Sequence, residues 1–119
     1  MAEGYVGEVR LFAGGSARLP KGWLPCDGRL MPIAQYQVLF SLIGPFYGGD
    51  GVRTFALPDL RGRSPVGAGE GPGLAPVELA QQVGNTPVAP ATGGKGVPTP
   101  PGLGLTFMIA FAGEYPVPQ

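Results

Sequence analysis

The sequence predicts an α+β fold, a small β-rich domain with one helix, a long Gly/Pro-rich extended arm and a C-terminal β-strand. Three observations carry this. Ile33, Tyr36, Leu39/Phe40 and Ile43 recur at three- and four-residue spacing, which makes a single helical stripe over about 32–43. Leu103, Leu105, Phe107, Ile109 and Phe111 alternate with Gly104, Thr106, Met108, Ala110 and Ala112, the period of a strand. Finally, 22 Gly and 15 Pro accompany an ordinary apolar content of 44%, the composition of an ordered, turn-rich chain rather than a disordered one.

Taken in order, Val6 to Ala13 reads as a first strand, with Val9, Leu11 and Ala13 on one face and Glu8, Arg10 and Phe12 on the other. Phe12 spoils a clean solvent face and suggests cover on both sides. Leu19-Pro20-Lys21-Gly22 is a turn leading to Trp23, the only tryptophan, read as a core anchor with a ligand-stacking platform as the alternative. Asp27-Gly28 is a tight turn before Arg29-Leu30-Met31. The helix follows, with Pro32 in its first turn, Gly44 as its stop and Pro45 forbidding continuation. It has no charged residue, so its packing partner is expected to be a small sheet.

Phe46 to Arg63 is the most shaped stretch. Glycines at 48, 49 and 51 surround Asp50, which can bond the turn's backbone. Val52 to Leu57 is a short extended segment ended by Pro58. Asp59, Arg61 and Arg63 then alternate and share one face, either as an ion-pair lattice or as a contact surface. Gly67 to Gly104 changes character, with ten Gly, seven Pro, three charged residues and no aromatic. Within it Val77 to Gln82 and Thr86 to Ala91 are brief interruptions, the first a candidate helical turn. Val97-Pro98-Thr99-Pro100-Pro101 favours extended polyproline-type chain. The chain therefore divides into 1–66, an arm over 67–102, and 103–119 as a strand completing this or a neighbouring subunit's sheet. Closing so long an excursion is costly, which makes exchange between copies credible.

Chemistry finds little footing. Without histidine the chain lacks the commonest general acid/base and metal ligand. Cys26 stands alone, so neither an internal disulfide nor a cysteine-built zinc site is possible, and it reads as a small buried hydrophobe. Gly48-Gly49-Asp50-Gly51 has no following Lys-Ser/Thr and is no phosphate loop. Asp27, Asp50 and Asp59 read as turn caps whose spacing fits no calcium loop. The expectation is no enzyme, no cofactor and no metal. Eight basic residues balance eight acidic ones, which argues against nucleic acid. No membrane span or signal peptide is recognisable, so synthesis in the cytoplasm with release or export by an unspecified route is expected.

Several segments together carry a family resemblance. Gly7-Glu8-Val9-Arg10-Leu11-Phe12-Ala13-Gly14, Pro20-Lys21-Gly22-Trp23-Leu24-Pro25-Cys26-Asp27-Gly28, Pro32-Ile33 with Leu39-Phe40-Ser41-Leu42-Ile43-Gly44, and Tyr47 to Arg63 resemble the phage tail collar domain in order and spacing. Leu103 to Pro116, with its Tyr115-Pro116 pair, is similar to the family's C-terminal strand. Longer members carry a Leu-Pro-x-His-x-His segment before that strand, associated in short tail fibres with metal inside a trimer. Here the Gly/Pro stretch stands in its place.

The resemblance implies self-assembly into a virion tail or an extracellular surface appendage. Implied partners are other copies of the chain, a host cell-surface glycan or other tail proteins. Candidate subunit-interface residues are Asp59, Arg61, Arg63, Leu105, Phe107, Ile109 and Phe111. If the chain is instead a discrete receptor-binding or adhesin module, Tyr36, Phe46, Tyr47 and Tyr115 are the candidate ligand contacts.

Overall fold

A computed structural model of the chain describes residues 4–84 and 101–118. It forms two compact units, Met1–Pro65 with Leu105–Gln119, and Val66–Gly104. The first unit holds strands β1 (Val9–Phe12), β2 (Trp23–Pro25), β3 (Leu30–Pro32), β4 (Thr54–Ala56) and β5 (Thr106–Ala110), and helix α1 (Gln37–Ile43). One sheet runs β1-β5-β2 and the other pairs β3 with β4, all antiparallel.

β5 is thus a central strand. Its residue Ile109 stands opposite Val9 on one side and Leu24 on the other. Because successive side chains point to opposite faces, Ile109 enters the larger core with Val6, Cys26, Met31, Leu39, Phe55 and Leu57. Met108 and Ala110 join Trp23 on the reverse face, where Phe12 and Leu19 pack against them. A strand apolar on both faces is what such two-sided cover requires.

The first strand is shorter than its expected span of 6–13. Gly7 (φ +88°) donates its N–H to the Ala110 carbonyl, while the Ala110 N–H bonds the Glu8 carbonyl, so two residues oppose one in a bulge. Phe12 packs beside Trp23, as its awkward position in the pattern suggested. Val9 and Leu11 lie on the face of the larger core yet remain 41% and 54% exposed, because β1 is an edge strand.

The helix also departs from expectation. Pro32 ends β3 rather than opening a helix, Ile33–Gln35 is a single 3-10 turn, and α1 begins only at Gln37. A long-range bond explains this: the Ile33 N–H donates to the Arg53 carbonyl at 2.9 Å, tying the segment to the glycine turn. Tyr36 (φ −132°, ψ 44°) then breaks the ladder before α1 starts. The expected stop holds, with Gly44 at φ +54° and its N–H on the Phe40 carbonyl. Leu39, fully buried, anchors α1 in the core.

In the second unit, Gly69 and Val77 exchange backbone hydrogen bonds of 2.7 and 3.0 Å. The Leu74 N–H reaches the Gly71 carbonyl across Pro72-Gly73, and Gly73 (φ +72°) supplies the positive φ that the third position of this turn needs. A second turn spans Glu78 to Gln81, with Ala80 at φ +70°, so no helical turn forms there. None of residues 66–84 is buried, and Val66, Leu74, Leu79 and Val83 are exposed. The expected segments at 86–91 and 97–100 lie outside the described residues.

Candidate functional site

Two features dominate the first unit after its core: the glycine turn and a cluster of Asp-Arg pairs. In the turn, Asp50 Oδ1 accepts the backbone N–H groups of Val52, Arg53 and Thr54 at 2.8, 2.8 and 2.9 Å. These bonds hold its carboxyl at a pKa of about 2. Gly49 (φ +89°) passes so close to β4 that a Cβ there would lie 2.5 Å from the Phe55 Cα and 2.7 Å from the Thr54 oxygen. The glycines are spent on letting this loop lie against a strand. Nothing in the arrangement cradles a ligand, since the backbone donors already serve Asp50.

The Asp-Arg cluster is built from one unit used twice. Asp27 Oδ1 accepts the Arg29 backbone N–H, and its two oxygens meet the Arg29 Nε and Nη2 at 3.0 and 2.8 Å. Asp59 does the same with Arg61, at 2.9 Å for both side-chain bonds. An isolated antiparallel bridge sets Asp27 opposite Asp59, flanked by bonds from Leu57 N–H to Arg29 O and from Leu60 N–H to Cys26 O. Arg63 completes the group by donating to the Asp59 carbonyl at 3.0 Å. Arg61 holds the Asp59 carboxyl at about 2, and Arg29 lowers that of Asp27. These pairs are solvent-screened and worth little individually. Each pair braces its own turn, and it is the backbone bonds, with the Gly28 N–H on the Pro58 carbonyl among them, that join the β2–β3 connection to the segment after β4. The signal that could mark this pairing in the sequence is the repeat itself, since Asp27-Gly28-Arg29 has the spacing of Asp59-Leu60-Arg61.

Beside this cluster lies a depression of about 300 Å³ lined by Ser16, Cys26, Asp27, Arg61 and Thr106 among others. Burial, with the Asp27 charge second, pushes the Cys26 thiol up to about 12, so no thiolate is available near neutral pH. Among the described residues no group of His, Cys, Asp or Glu is placed to hold a metal ion.

The other candidates are scattered. Ile109 is buried in its own chain, Phe107 and Phe111 are half-buried against the same core, and Leu105 is 42% exposed. Phe111 meets Tyr36 edge-on with ring centres 5.3 Å apart, so Tyr36 is packed rather than presented. Tyr47 is half-buried, whereas Phe46 is exposed. Tyr115 bonds the Ser41 hydroxyl at 3.0 Å and lines a second depression with Tyr5 and Glu114. Trp23 is the core anchor, with the Arg10 guanidinium 5.2 Å above its ring.

The segment that contains both features, residues 7–65, matches the family model of the phage tail collar domain. The chain carries a phage tail collar domain. No curated protein matches the chain. The collar match ends before the arm and leaves out β5, the middle strand of the larger sheet. The family is a structural one of phage tails, which points to a place in the virion tail beside other tail proteins rather than to catalysis. Among the described residues no helix is long and apolar enough to cross a membrane.

Proposed function

We propose that this collar protein is a self-assembling structural subunit of a phage-tail-like or extracellular filamentous appendage, polymerising through exchange of its arm and last strand between copies. The observation that carries the reading is the arm itself. Residues 66–84 are shaped by backbone bonds and turns yet bury no side chain, and they display Val66, Leu74, Leu79 and Val83. Aliphatic surface of this kind is stabilised by association. β5 follows the arm, and an inserted strand would form main-chain hydrogen bonds on both of its edges. In the exchanged form Phe107, Ile109 and Phe111 would occupy a neighbour's core, while Leu105 and the Asp59, Arg61 and Arg63 group would lie near the crossing point. A contact that does not close on itself gives an open filament.

Light scattering across a concentration series and negative-stain microscopy test this. The expected result is polymers that lengthen with concentration. A monodisperse monomer at high concentration, with no polymer on the grid, refutes it. A second reading, a discrete receptor-binding module of a tail fibre, is favoured by the exposed Phe46 and by the depression at Tyr5 and Tyr115. A closed oligomer that binds a cell-surface glycan saturably would support that reading over the filament.

A further inference from the structure

Four ion pairs occur among the described residues, and they engage Arg10, Arg29, Arg61 and Arg63. Arg18 and Lys21, like Arg53 beside the glycine turn, have no acidic partner in that set, and both are exposed. They bracket Leu19-Pro20 in the connection between β1 and β2, and Leu19, with Phe12, packs against Trp23, Met108 and Ala110. On the sheet face turned away from α1 this cluster is buried, Arg10 lies over Trp23, and the half-buried Leu19 stands between two exposed cations. The described arm residues 66–84 carry the opposite charge. Their only ionisable side chains are Glu70 and Glu78, neither paired among the described residues. The bridge between Gly69 and Val77 sets the register that places both carboxylates on one face. Such a diagonal pair is separated by about 7–8 Å. Arg18 and Lys21 are three residues apart, at most about 10 Å, within reach of long side chains.

We propose that the Arg18–Leu19–Lys21 face of one collar unit receives the Glu70/Glu78 face of a second copy's arm. Charge complementarity selects this occupant. The proposal rests on the self-assembly reading above and adds the surface that the arm meets.

The experiment uses the full chain in two charge-reversed forms, Arg18→Glu with Lys21→Glu, and Glu70→Lys with Glu78→Lys, assembly being followed by sedimentation and folding by circular dichroism. Each form alone is expected to need about tenfold more protein than wild type to assemble, from two attractions turned repulsive. An equimolar mixture restores assembly to within about threefold of wild type, because each acidified sheet face then meets a basic arm. Raising salt from about 0.15 to 1 M, which shortens the screening length from about 8 to 3 Å, weakens wild-type assembly without any substitution. The proposal is overturned if a folded reversed form assembles like wild type, if the mixture recovers nothing, as it would were each arm docked on its own chain, or if salt has no effect. A wild-type chain that never assembles instead defeats the self-assembly reading itself.

Discussion

Replacing Gly49 by alanine should unfold the collar unit far more readily than the same change at a neighbouring turn glycine. Gly49 has φ +89°, and an added Cβ would meet the Phe55 Cα at 2.5 Å, the Thr54 oxygen at 2.7 Å and the Phe55 nitrogen at 2.9 Å. All three are backbone atoms of β4, whose Phe55 is fully buried, so no side-chain rotation relieves the contact. The left-handed conformation costs about 1–2 kcal/mol for a residue with a Cβ. Forcing a packed strand aside adds about 1–3 kcal/mol, so the total is about 2–5 kcal/mol. For a domain of this size that corresponds to a loss of roughly 8 °C or more in Tm. Gly62→Ala is the control, since its φ of +68° carries the conformational cost while no atom lies within 4 Å of the added Cβ. Guanidinium unfolding followed by circular dichroism, in protein dilute enough not to assemble, gives both values. If the two variants agree within about 0.5 kcal/mol, a gap of backbone contact energy is missing and the close approach at β4 does not constrain the fold.

Two further outcomes follow from the ionisable groups. Asp50 and Asp59 have folded pKa values of about 2, below the ordinary carboxylate value of about 3.9. Protonation therefore favours the unfolded chain. Their contribution is complete above about pH 4 and is lost as pH falls toward about 2, so Tm should drop across that window. A melting curve unchanged between pH 5 and pH 2 would contradict the geometry of both carboxylates. Cys26, 3% exposed and with its thiol pushed up to about 12, should resist an aromatic disulfide reagent at pH 8. It should react with one equivalent after denaturation in guanidinium. Rapid labelling of the native protein would place the thiol outside the core.

What the sequence revealed depended on how local the cause was. The alternation from Leu105 to Phe111 marks β5 because each side chain reports its own face. The Gly44-Pro45 stop of α1 is equally local. The start of α1 is not legible locally, because Pro32-Ile33 carries a good helix-opening signal and the Arg53 carbonyl that ties Ile33 down lies far along the chain. Strand order is less legible still, since nothing near Ile109 says that Val9 and Leu24 will flank it. In the candidate site, Asp59, Arg61 and Arg63 announced themselves by alternation. Their counterpart Asp27-Gly28-Arg29 became meaningful only when the bridge set the two aspartates opposite each other. Tyr36 and Phe46 are both aromatic and near α1, and only packing separates the ring against Phe111 from the one left in solvent.

The strand order β1-β5-β2 also orders events in time. Synthesis delivers β1 and β2 early and the strand between them only after residue 105. Until then neither has its partner, and the contacts that join them are among the most sequence-distant in the chain, which slows folding. The larger sheet therefore cannot close on a nascent chain until the arm has already left the ribosome. Until β5 arrives, β1 and β2 each leave an edge without its partner on the nascent chain. The position of one five-residue strand therefore makes completion of the larger sheet one of the last events in the folding of a newly made chain.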